Sequence, residues 1–140
     1  MAKNPEREII QHVDREFENL LNSLKDLAGS APTDLLYQNI LRSAATIEQM
    51  CGGLTANLWD DPFEWTLPET LSNSELIIEY LSEVDQARQN AFKAIHDDSA
   101  LTRYVSVPSG SPRLLIALLL ETLVKASDYR GRAVLLSSQT

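Results

Sequence analysis

A single cysteine, Cys51, and only two histidines, His12 and His96, stand in the 140-residue chain. One thiol cannot close an internal disulfide, and no Cys/His grouping has the spacing of a zinc finger. Cations are also in short supply: twelve Lys and Arg face twenty Asp and Glu, leaving a formal charge of −8. That balance repels a phosphate backbone unless a local basic patch opposes it, and the nearest approach to one is Arg130 with Arg132. Nucleic acid is therefore not an expected partner, and an anionic membrane surface is disfavoured on the same ground. The longest uninterrupted apolar run, Leu114–Leu120, is far too short to span a bilayer. The opening MAKNPEREII has no apolar core of a signal peptide, so the expected location is cytoplasmic. No G-x-S-x-G, phosphate-binding P-loop or G-x-G-x-x-G is present.

Hydrophobic residues make up 44% of the chain and charged residues 23%, the balance of an ordinary globular protein. The length fits one domain, residues 1–140, which should bury roughly 68% of the surface its unfolded form exposes. Hydrophobic periodicity predicts four helices. The first spans about Pro5–Leu27, with Asn4 as cap, a stripe of Ile10, Val13, Phe17, Leu20, Leu21, Leu24 and Leu27, and Gly29, Ser30 and Pro32 as terminators. The second spans about Asp34–Leu58, capped by Thr33, with Leu36, Ile40, Ala44, Ile47, Cys51, Leu54 and Leu58 on one face. Gly52 and Gly53 inside it each cost about 1 kcal/mol relative to Ala and predict a kink, a close helix contact or a shorter helix. The stretch Trp59–Leu71 reads as a loop anchored by Trp59, Phe63 and Trp65.

Ser72 and Glu75 match a capping box for the third helix, about Asn73–His96. Arg88 interrupts its apolar row and is expected to lie along the surface or pair with an acid. In the linker Asp97–Gly110, the Arg103–Val107 segment is expected to be extended without a partner strand. Ser111 and Pro112 are expected to open the fourth helix, which runs to about Leu136. Four long helices and antiparallel-compatible loops predict an all-α, four-helix up-down bundle.

The fourth helix carries the most pointed pattern. Glu121, Lys125, Asp128, Tyr129 and Arg132 fall within an arc of about 100°. Glu121–Lys125 and Asp128–Arg132 are acid-first i,i+4 pairs. The pattern fits a solvated face or an internal polar cluster. Cys51, late in its helix and on the apolar stripe, reads as a small core residue rather than a nucleophile. His12 and His96 are isolated and read as structural or surface residues.

Three segments together resemble the DinB-like family of helical bundles: Asn39–Cys51 (NILRSAATIEQMC), the acidic-aromatic loop Trp59–Trp65, and Leu118–Leu136 (LLLETLVKASDYRGRAVLL) with its Arg130-Gly131 step. The resemblance implies a bundle holding a metal on three imidazoles, one on the second helix and an H-x-x-x-H pair on the fourth, for thiol transfer. Aligned on Arg130-Gly131, those positions fall at Ser43 or near it, Lys125 and Tyr129, with Glu121, Asp128 and Arg130 around them. An ammonium has no lone pair, and neutral Ser and Tyr are poor ligands. No metal or other cofactor is therefore expected. The expected protein is a non-catalytic or divergent, metal-free member of these bundles that takes a small anionic ligand, or a protein partner, at the former site. A carboxylate-held metal on Glu48, Glu121 and Asp128, keeping a thiol transferase, is one alternative; a purely structural protein is the other. The apolar Leu114–Leu120 run needs cover from the linker or from a second subunit, which predicts a homodimer through this end of the fourth helix.

Overall fold

The computed structural model describes residues 5–29, 34–61, 73–108 and 110–138. A 3-10 turn at Pro5–Arg7 leads into α1, Glu8–Ala28. α2 is Asp34–Ala56, α3 is Ser74–Lys93 and α4 is Leu115–Ser137. Between α3 and α4 lie a second 3-10 turn, Asp98–Thr102, and two short strands, β1 at Tyr104–Val105 and β2 at Arg113–Leu114. The described residues are therefore predominantly helical, as the periodicity requires. Asn4, Thr33, Phe63, Trp65 and Ser72, assigned roles above, lie outside the described residues.

The helix directions follow from their end contacts. Ser74 Oγ, at the start of α3, donates to the Ala28 carbonyl at the end of α1 over 2.6 Å. At the other end, Arg7 donates to the carbonyls of Phe92 (3.1 Å) and His96 (2.8 Å), so α1 and α3 are antiparallel. α2 begins only a few residues after α1 stops, too little chain to return along a helix of about 30 Å, and so runs back along the bundle. Gln38, Asn39 and Arg42 near the start of α2 lie beside Arg132 and Leu136 near the end of α4, so this pair is antiparallel as well. The order is thus up, down, down, up. The alternation expected from the sequence holds between α1 and α2 and fails between α2 and α3. The chain between residues 56 and 74 is long enough to return along the bundle before α3 starts. In the resulting square α1 lies beside α3, α3 beside α2, α2 beside α4 and α4 beside α1, with α2 against α4 the most extensive interface.

One cluster of buried side chains joins the four helices. Every residue of the α1 stripe is buried except Leu27, which packs partly buried against the core. Phe17 and Phe92 meet at its centre, ring centroids 5.7 Å apart and tilted by 50°, within the favourable range for an aromatic pair. At the α2–α4 interface the buried Ser43 and Ala126 face each other. Small side chains let two helix backbones approach, and the buried Ser43 Oγ reaches the Ala126 carbonyl over 2.7 Å.

Several helix ends depart from the sequence reading. Asn73 caps α3, its side chain accepting from Leu76 N at 3.0 Å. α4 starts at Leu115 rather than Pro112, because Arg113 and Leu114 are extended and paired with Val105 and Tyr104. β1 thus has a partner strand that the sequence did not suggest. The linker packs against the start of α4, where Leu115 and Leu119 belong to the buried core, yet Leu120 stays 47% exposed. Arg88 is buried at 4% exposure and pairs with Asp14, Glu18 and Asp85, so pairing rather than surface lying accounts for its place on the apolar row.

Candidate functional site

Along one side of α2 the polar residues Arg42, Thr46 and Gln49 recur at helical spacing. The antiparallel packing sets this row against the polar stripe of α4. Two adjoining clefts result. The larger, about 420 Å³, lies among Met50, Trp59, Val107, Arg113, Leu118 and Glu121. The narrower lies among Arg42, Asp61 and Tyr129. Thr46, Gln49 and Lys125 line both, so Lys125 stands where they join.

One wall of the larger cleft explains the double glycine of α2. Asn57 adopts φ +57°, the left-handed conformation that Asn tolerates better than most residues. The chain turns back there, and Leu58 N donates to the Gly52 carbonyl at 3.0 Å. Trp59 folds onto the helix so closely that a Cβ at Gly53 would lie 2.3 Å from the ring. Of the three expectations for Gly52-Gly53, the shorter helix holds, by two residues, and the close approach is that of the Trp59 ring rather than of another helix. The ring is fixed at its edge by Nε1–H donating to Asn57 Oδ1 at 3.0 Å, and Gln49 Nε2 donates to the Trp59 carbonyl at 2.7 Å.

The charges around the clefts are largely committed. Glu121 pairs with Arg113 from β2 rather than with Lys125. Asp128 and Arg132 form the expected i,i+4 pair at 2.9 Å. The Tyr129 ring, half-buried, has the Arg132 guanidinium 5.2 Å and the Arg42 guanidinium 6.0 Å from its centroid, distances at which the quadrupole of the ring face attracts a cation. Lys125 is exposed and makes no ion pair among the described residues. Arg42, Arg113, Arg132 and Lys125 thus share this face with the acids Asp61, Glu121 and Asp128.

Lys125 and Tyr129 are therefore brought together, with Glu121 at one margin and Asp128 paired beside Tyr129. Ser43 is not with them: it is fully buried against the α4 backbone, and Arg42 and Thr46 take the facing positions on α2. Arg130 turns the other way, toward α1, with Nη1 3.5 Å from Ser23 Oγ. Glu48 faces α3, where its carboxylate accepts from Tyr80 OH. Burial first, then Glu48, pushes the Tyr80 hydroxyl far above its ordinary value, so it stays a donor.

These donor sets do not fit the metal that the DinB-like resemblance implies. A hydroxyl already donating to a backbone carbonyl, an ammonium, and a phenol ring flanked by two guanidiniums offer no set of lone pairs to a cation. Glu48, Glu121 and Asp128 point to three different partners, so the carboxylate alternative does not assemble. No group of three His, Cys, Asp or Glu among the described residues is arranged to hold an ion. His12 and His96 are both exposed and away from the clefts. Cys51 is buried, and loss of hydration pushes its thiol up to about 12, so it is protonated at neutral pH and sits in the core.

Arg42, Arg113, Thr46 and Gln49 are cleft residues that the sequence reading passed over. The α2 row was visible as a helical repeat; the partner of Arg113 depended on a β-bridge that no local pattern announced. The chain matches no known family, no curated protein and no solved structure.

Proposed function

We propose that this chain is a divergent DinB-like bundle that binds a small organic anion in the paired α2–α4 clefts, without a metal. The observation that carries the reading is Lys125, an exposed ammonium free of ion pairs among the described residues, at the junction of two clefts with Arg42 on one side and Arg113 on the other. A volume of about 420 Å³ suits a small molecule rather than a macromolecule. Its walls match the reading. Thr46 and Gln49 offer neutral hydrogen-bond groups, Trp59 and Leu118 offer apolar surface, and Lys125 supplies a mobile point charge for a carboxylate or phosphate. The same arrangement supplies no nucleophile or paired acid and base, which favours binding over catalysis.

The test is a thermal-shift series with phosphate, sulfate, citrate and simple dicarboxylates on the wild type and Lys125→Met. A bound anion raises the melting temperature by mass action. The substitution should abolish that rise while changing the stability of the free protein by well under about 1 kcal/mol, since an exposed lysine supports little. No shift with any anion, or an undiminished shift in Lys125→Met, removes this reading.

A further inference from the structure

We propose that the outward face of α4 is the docking surface for a second copy of this chain, packed antiparallel along the helix. α4 buries Leu115, Leu119, Thr122, Ala126 and Ala133 on its inner side and leaves further apolar residues exposed on the other. Leu120 is 47%, Val124 70%, Val134 40% and Leu135 61% exposed. These residues are not scattered. Ala117, Leu120, Val124, Ser127, Gly131 and Val134 follow one another at alternating steps of three and four, the spacing of a helix-pairing seam.

The order of sizes along that seam is complementary to itself only when the two copies run in opposite directions. An antiparallel two-fold centred between Val124 and Ser127 sets Ala117 against Val134 of the second copy, Leu120 against Gly131, and Val124 against Ser127. Each layer then joins one larger apolar side chain to one small residue. A parallel pairing would set Gly131 on Gly131 and Leu120 on Leu120, leaving voids in some layers and crowding others. Opposed helix dipoles also favour the antiparallel arrangement.

Gly131 gives independent support. It lies well inside α4, where glycine is unfavourable, and a Cβ there would meet nothing within 4 Å. Nothing among the described residues accounts for it, whereas a leucine from another copy would need that space. The acidic edge of the seam is muted, because Glu121 pairs with Arg113 and Asp128 with Arg132 within each copy. The exposed fractions of Leu120, Val124, Val134 and Leu135 amount to roughly 360 Å² per copy, about 700 Å² in all, a small area that describes a weak, reversible dimer.

Sedimentation equilibrium on the full chain should show a monomer–dimer equilibrium. Val124→Glu should shift it to monomer at every concentration with an unchanged helical circular dichroism spectrum. Gly131→Leu separates packing from folding: the added side chain has open space in the monomer and a better helix former, so the melting temperature should hold or rise while the dimer is lost. Orientation is read by cysteine cross-linking, with the buried Cys51 silent. Val124→Cys with Ser127→Cys should give an oxidised dimer, and Val124→Cys alone should not. A wild type that stays monomeric throughout, as it would if another segment or a different partner covers this face, overturns the proposal. So does a Gly131→Leu variant that dimerises like the wild type, and linkage through Val124→Cys alone overturns the antiparallel arrangement.

Discussion

Arg88 holds together the one strongly charged part of the interior among the described residues. Its guanidinium, 5% exposed, faces Asp14 across from α1, Glu18 one turn further on, and Asp85 three residues before it on α3, the last at 3.0 Å. Burial by itself would lower the arginine pKa, but Asp14 and Asp85 more than offset it and the group stays charged. Asp14 is raised, because its own burial outweighs the pull of Arg88. The folded chain therefore holds the Asp14 proton more tightly than the unfolded chain does. That contribution is full below the usual carboxylate value and is lost as pH rises through the raised one. Arg88→Met would leave three carboxylates facing one another. Since Glu18 is half exposed, the loss at pH 7 should be about 2–3 kcal/mol in urea unfolding, below the range for fully buried pairs. The deficit should shrink at pH 4 as the acids take up protons. A loss equal at both pH values would show that Arg88 acts through packing of its stem instead. Ser43 belongs at this scale too: Ser43→Ala should cost about 1 kcal/mol for one buried hydrogen bond and leave anion-induced shifts intact, because the residue lies outside the clefts.

At the scale of elements, the four helices were legible because each carries a long apolar stripe at 3.6-residue spacing, and α1 and α2 match their expected spans within a few residues. What escaped was whatever depends on distant chain. The start of α1 is capped by Asp98, whose two carboxylate oxygens accept from Ile9 N and Ile10 N at 3.0 Å each. No sequence pattern near Glu8 points to residue 98. Asp98→Ala should cost about 1 kcal/mol, the usual worth of an N-cap, and should speed amide hydrogen exchange selectively at Ile9 and Ile10. Faster exchange spread evenly along α1 would contradict a local capping role. The register between α2 and α4 was likewise beyond local reading. Helical phase shows that Arg42, Thr46 and Gln49 share a face; only the antiparallel packing shows that this face, not Ser43, meets Lys125 and Tyr129. The polar stripe of α4 itself was read correctly as a unit, though Glu121 found its partner in β2.

Over the whole molecule the acidic charge sets two opposite salt dependences. Dimerisation brings two chains of −8 together, so added sodium chloride should tighten it as screening grows. An anion held by Lys125 and its neighbouring arginines should bind more weakly over the same range. Measuring both from low to 0.5 M salt tests the assignments jointly: a dimer weakened by salt would point to charge pairing in place of the apolar seam. No helix among the described residues is long and apolar enough to cross a membrane. The attachment of the chain's beginning to its later part carries a last consequence. Arg7 bonds to carbonyls at residues 92 and 96, and Asp98 completes the first helical turn. During synthesis, α1 and α2 would leave the ribosome with that end unfinished, and the bundle could close only once residue 98 had cleared the exit tunnel.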